Sequence, residues 1–235
     1  MSRVSVGVLM GALVGLLAAC GGDSEGRQGE AGPGRATRAL SEGELDRAAL
    51  TASEAEGFSV ERVDAETIEF ATREAADKPA CQPLAEASAL VAYGPKAKAE
   101  AYRVYKATKD DLSVHGITAH LMSYGEDEAK AKLRRVRAAV KACSGGFAVG
   151  GDGEDGVRYS AIRPLAGVEA GSEVVAYRLA VELPGGRSMP HTYVVARSGP
   201  LVVAYEGVDA VRSKAVDVPE AMVVRQIAKL EKTAS

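Results

Sequence analysis

The sequence predicts an α+β domain, an antiparallel sheet with helices packed on it, linked into one unit by a single disulfide. Three observations carry this reading. Val175, Tyr177, Leu179, Val181 and Leu183 alternate with Ala176, Arg178, Ala180 and Glu182, the two-residue period of a strand with one buried face. Ala129, Leu133, Val136 and Val140 recur at helical spacing between Glu126 and Ala142 and form an apolar stripe. Cys143 follows in phase with that stripe, so its sulfur is expected to point inward, toward whatever carries Cys81.

The chain begins with a segment of another kind. Arg3 precedes an apolar run from Val4 to Leu17, and small residues then lead to Cys20. A basic start, an apolar core and a small-residue cleavage site are the parts of a secretory signal peptide. The run is near the minimum for a membrane span, and no basic flank follows it as a stop-transfer signal requires. Leu17-Ala18-Ala19-Cys20 resembles the lipobox of bacterial lipoproteins. The resemblance implies cleavage before Cys20, a diacylglycerol on its thiol, and acylation of the new amine by a chain such as palmitate. Two or more acyl chains convert weak binding into stable anchoring, at about 0.8 kcal/mol per buried CH₂. The lipid bilayer is thus the expected partner of Cys20, on the outer face of the cytoplasmic membrane.

Removing residues 1–19 leaves 216 residues, within the range of one domain, with 28 basic against 32 acidic side chains, a net charge of −4. A mildly acidic chain has no electrostatic footprint for nucleic acid. With no Trp and only 5% aromatic residues, the core must be built from Ala, Val, Leu and Tyr. The three cysteines are an odd number for an exported protein. Assigning Cys20 to lipid leaves Cys81 and Cys143 to pair, and export favours the disulfide. The competing reading, a free catalytic or metal-binding thiol, finds no C-x-x-C and no neighbouring His.

Taken in order, residues 20–40 read as a Gly-rich, charged, flexible tether, and the extracellular domain runs over residues 41–235. Ser41 and Glu44, then Thr51 and Glu54, have capping-box spacing and predict two short helical pieces before a reversal at Gly57. Val60–Phe70 is a loose strand, and Cys81 precedes a short helix at Pro83–Leu90. Glu100–Thr108 and Leu112–Tyr124 are strands, the latter with Ile117, Ala119 and Leu121 on one face. The helix Glu126–Ala142 has an acidic first turn and a basic remainder, which suits its dipole, and Gly145-Gly146 ends it. Val157–Ile162, the alternating strand from Val175, and Thr192–Arg197 with Leu201–Glu206 complete the sheet, with turns at Pro184-Gly185-Gly186 and Ser198-Gly199-Pro200. A last helix starts at Pro219 and packs through Val223, Ile227 and Leu230.

Candidate chemistry is sparse. Gly151–Gly156 matches G-x-G-x-x-G as a string, but it holds three acidic residues and a strand follows it, so it reads as a surface loop without phosphate. Its acids lack the calcium-loop spacing. His115 and His120 are five positions apart on one strand and are not expected to share a metal; His191 is the third histidine. Neither S-x-x-K nor H-E-x-x-H occurs, and Ser144 beside two glycines reads as helix termination. Lys130, Lys132, Arg134, Arg135, Arg137 and Lys141 make the long helix basic, either a solvated face or one attracted to anionic headgroups or cell-wall polymer. No catalytic, cofactor-binding or metal-ligating residue is assigned.

Leu50-Thr51 through Gly57-Phe58, the early Cys81, Tyr124-Gly125-Glu126-Asp127-Glu128-Ala129 and Ala138–Cys143 resemble parts of the extracellular sensor-type domain of some mycobacterial serine/threonine kinases and of stand-alone actinobacterial lipoproteins. The likeness spans roughly Leu45 to Leu230. The chain departs from that pattern in having no Trp before Cys143 and no second cysteine pair. The resemblance implies an α+β sandwich with a cleft, and sensing or ligand binding at the cell envelope. The functional expectation is a membrane-anchored, non-catalytic, extracytoplasmic lipoprotein that binds a small-molecule or cell-wall ligand. The alternative is an envelope hydrolase with an unrecognised active site, in which Ser, His and Asp, or paired carboxylates, stand within hydrogen-bond reach inside a pocket.

Overall fold

Helices cover both faces of one antiparallel sheet. A computed structural model describes residues 35–63, 75–88, 96–109, 115–150 and 156–235 of the chain. In order these form α1 (Glu42–Ala48), β1 (Phe58–Val63), a 3₁₀ turn (Pro79–Cys81), α2 (Gln82–Ser88), β2 (Ala99–Ala107), β3 (His115–Ser123), α3 (Glu126–Ala142), β4 (Phe147–Val149), β5 (Val157–Pro164), β6 (Glu173–Leu183), β7 (Arg187–Ser198), β8 (Leu201–Asp209), β9 (Lys214–Ala215) and α4 (Glu220–Thr233). The sheet runs β1-β2-β3-β8-β7-β6-β5-β4, with β9 paired to β8. The sequence-based α+β class therefore holds.

Each face of the sheet has its own core. Leu45 of α1 and Met222, Val223, Ile227 and Leu230 of α4 pack on Tyr105, Ile117, Leu121, Val194, Val203 and Tyr205. Leu84 of α2 and Leu133, Val136 and Val140 of α3 pack on Met122, Val175, Tyr177, Leu179, Tyr193 and Val195. This corrects the one-faced expectation for β6. Ala176 is buried as well, in the core under α4, so this strand is covered on both sides there.

Cys81 and Cys143 are joined as expected, with Cα atoms 5.8 Å apart. The bridge ties the 3₁₀ turn ahead of α2 to the residue that caps α3, and both cysteines are buried. Helix α3 has the predicted bounds. Gly125 N–H donates to Glu128 Oε2 (2.8 Å) at its start, and Gly146, at φ +83°, lets the chain turn away at its end. A Cβ at Gly146 would lie 2.6 Å from Tyr159 O, so only glycine fits.

The structure differs from the sequence reading at four places. Residues 35–40, assigned to the tether, pack on the domain: Ala36 and Leu40 are buried, and Thr37 N–H donates to Ala234 O (3.3 Å). The second capping-box spacing closes a turn rather than a helix; Thr51 N–H and Oγ1 both donate to Glu54 Oε2 (2.8 Å each), and Gly57 at φ +86° reverses the chain before a helix can extend. Strands β4 and β9 were not anticipated, being three and two residues long. Strands β7 and β8 are longer than read, because Arg187–Pro190 pairs with β6 although Pro190 interrupts the apolar pattern. The signal segment, Cys20 and the tether through residue 34 lie outside the described residues, as do residues 64–70 of the loose strand, 89–90 of the short helix, 112–114 and 151–155.

Candidate functional site

On a strand, residues two apart share a face, and antiparallel register sets their cross-strand neighbours. These two rules build two polar clusters on the face that α3 covers. Glu100 and Tyr102 of β2 share that face, and Tyr102 sits opposite His120 of β3. Tyr102 Oη donates to Glu100 Oε2 (2.6 Å), and His120 Nε2 lies 3.1 Å from the same oxygen. The Tyr102 and His120 rings stack with centroids 4.1 Å apart. Burial lowers the pKa of His120 despite the carboxylate beside it, which favours a neutral imidazole donating to Glu100. Burial pushes the Glu100 carboxyl upward, but the hydrogen bonds from His120 and Tyr102 oppose it, and the net direction is down.

Lys132 joins this cluster from α3. It is half-buried, which lowers its pKa, and its Nζ stands 5.8 Å above the Tyr124 ring. Burial raises Glu86 of α2, against the fields of Lys132 and Arg135. The basic residues of α3 are therefore not one uniform solvated face: Lys132 is turned toward the sheet.

The second cluster repeats the first. His191 and Tyr193 are two apart on β7, and Tyr193 is the register partner of Glu206 on β8. Tyr193 Oη donates to Glu206 Oε1 (2.5 Å), and His191 Nδ1 is 2.7 Å from that same oxygen. Tyr177 of β6 is opposite Tyr193, and their rings stack at 5.0 Å. Here two polar atoms are left over. His191 Nε2 and Tyr177 Oη are buried without a hydrogen-bond partner among the described residues. Each such atom costs on the order of 1–3 kcal/mol unless something bonds it. Each atom is open to a polar partner, Tyr177 Oη through its hydroxyl and His191 Nε2 through the imidazole ring.

A carboxylate–imidazole pair is also the base half of a hydrolytic triad. The hydroxyl in this cluster is the phenol of Tyr193, and it is directed at Glu206 rather than at His191 Nε2. Among the described residues no serine oxygen is hydrogen-bonded to His191 or Glu206. Ser144 is exposed just after α3. A Gly-x-Ser-x-Gly string does occur at Gly22–Gly26, in the Gly-rich segment directly after Cys20 and outside the described residues, without the preceding strand pattern the motif requires. Among the described residues, no three His, Cys, Asp or Glu side chains converge as a metal site.

Sequence reasoning named His120 and His191 but missed Glu100, Tyr102, Tyr177, Tyr193 and Glu206. A signal was present, since Glu100-Ala101-Tyr102 and His191-Thr192-Tyr193 both have the spacing that puts two polar groups on one strand face.

These features define a class by architecture: a disulfide-linked sandwich with a central antiparallel sheet and helical layers on either side. The extracellular domain of PknH from Mycobacterium tuberculosis has a similar fold, with a TM-score of 0.52 at 11% identity, covering 83% of this chain and 97% of that one. The likeness to sensor-type extracellular domains, carried in the sequence by the segments around Leu50–Phe58 and Tyr124–Cys143, thus holds at the level of fold. No protein-family model matches the chain, and no curated protein matches it.

Proposed function

We propose that this chain is a lipid-anchored, extracytoplasmic and non-catalytic binding domain that senses a small polar ligand at the cell envelope. The observation that carries the reading is that, among the described residues, the buried atoms His191 Nε2 and Tyr177 Oη have no hydrogen-bond partner, in a cluster where Glu206 Oε1 already takes two bonds. Native interiors rarely leave such atoms unbonded, and a polar ligand that bonds them removes the cost. The fold of the PknH extracellular domain and the disulfide both agree with an exported domain. The anchor is the Cys20 thiol, for the reasons read from Leu17–Cys20.

Fractionation tests the anchor. Cys20→Ala should move the chain from the membrane fraction to the medium or leave it unprocessed, and processed, membrane-bound Cys20→Ala protein would overturn the assignment.

A further inference from the structure

A second site lies on the opposite face of the sheet, beyond the part that α4 covers. Arg163 of β5 and Arg178 of β6 are direct register partners, so their side chains leave the same face of the sheet. Like charges in this position repel unless an anion joins them. Arg178 is held in place: its Nε donates to Thr192 Oγ1 (3.3 Å) and its Nη2 to Asp217 Oδ1 (2.6 Å). Arg163 is exposed and has no ion pair among the described residues. The two arginines line a groove of about 370 Å³, whose other walls are Ile162, Leu179, Ala180, Pro190 and Ser188. The strand is distorted here. Its register shifts between Ser160 and Arg163, and Ala161 adopts φ +51°, a left-handed conformation that costs a non-glycine residue on the order of 1–3 kcal/mol. The bulge sets Arg163 opposite Arg178 at the groove, where an unbulged strand would shift the pairing by one position.

We propose that this groove binds an anionic amphiphile, a phosphate- or carboxylate-headed molecule whose head bridges Arg163 and Arg178 and whose apolar part lies along Ala180 and Pro190. Guanidinium groups recognise such heads through paired N–H donors, and Ser188 adds a hydroxyl at the groove wall. The assignment requires nothing of the His191–Glu206 cluster, which lies on the other face.

The test is calorimetric titration of the full chain, held in phosphatidylcholine nanodiscs with empty discs subtracted, using octyl phosphate below its micelle concentration. Saturable binding at one site is expected, tighter than for inorganic phosphate and much tighter than for octyltrimethylammonium. Arg163→Gln should weaken it at least tenfold with the melting temperature unchanged, because Arg163 bonds nothing among the described residues; Arg163→Lys should recover part of the loss. Doping the discs with phosphatidic acid separates the sources. Competition with octyl phosphate marks a lipid headgroup, and an unchanged titration marks a free ligand of the same chemistry. Equal affinity for the octyl cation, or an Arg163→Gln chain that binds octyl phosphate as wild type does, overturns the proposal.

Discussion

At the scale of single residues, the structure separates groups that hold the fold from groups that wait for a partner. Tyr177 is one of the second kind, with a hydroxyl that bonds nothing among the described residues. Tyr177→Phe should therefore leave thermal stability equal to wild type or slightly higher, since it removes a buried unsatisfied group and keeps the ring stacked on Tyr193. The same variant should lose the stabilisation conferred by any ligand of the His191 cluster in a thermal-shift screen; a ligand that stabilises both chains equally would place its site elsewhere. Glu54 behaves in the opposite way. A hydrogen bond from Lys229, helped by Thr51 N–H, holds its carboxyl down at about 2, and Arg38 with Ser41 holds Glu44 likewise at about 2. A folded-state pKa below the unfolded value means the unfolded chain binds more protons, so this stability is complete above about pH 4.5 and is lost as pH falls toward 2. The melting temperature should fall across that window, and Glu54→Gln should flatten the descent; parallel acid limbs would assign it to other groups. Little of this chemistry was legible residue by residue. The spacing of Glu100 with Tyr102 and of His191 with Tyr193 was visible, but their partners His120 and Glu206 come from other strands. Only strand register, a non-local property, brings them together.

At the scale of elements, legibility follows local periodicity. Helix α3 was readable end to end, because an acidic first turn, an unbroken stripe and terminal glycines all agree. The stripe is also where the energy lies. Leu133 is fully buried between α3 and the sheet, so Leu133→Ala should cost about 2–5 kcal/mol in a denaturant melt, against about 0.5 kcal/mol or less for Arg134→Ala on the exposed side. Similar losses for both would mean that the helix does not pack as described. Short strands were not readable. Phe147–Val149 and Lys214–Ala215 have too few residues to show a period, and they exist because neighbouring strands offer them hydrogen bonds. The turn at Thr51–Glu54 shows the converse: correct capping chemistry without enough helix-forming chain behind it.

At the scale of the molecule, the sheet order places β8, β7 and β6 in the interior and gives each face its own helical cover. The sequence showed one buried face for β6; the second was hidden because Ala176 reads as a neutral position rather than as core. The disulfide belongs to this scale, since it links positions 62 residues apart. Closing such a loop removes unfolded-state freedom worth about 4 kcal/mol. Reduction, or Cys81→Ala with Cys143→Ala, should lower the melting temperature by about 8–16 °C. A shift under a few degrees would show that the α2–α3 layer holds itself together.

The packing of residues 35–40 has a consequence for how the domain is wired. Ala36 N–H donates to Ser198 Oγ, Thr37 Oγ1 donates to Ala234 O (2.7 Å), and Arg38 reaches Thr233 O (2.9 Å). The point where the chain enters the domain and the point where it leaves are thus stitched together at one pole. A pull on the entering segment is carried directly into the end of α4 and the β7–β8 turn, whereas the exposed Pro184–Gly186 hairpin lies at the other end of β7. A reporter appended after Ser235 would crowd the entry side, whereas one inserted between Gly185 and Gly186 would stand clear of it.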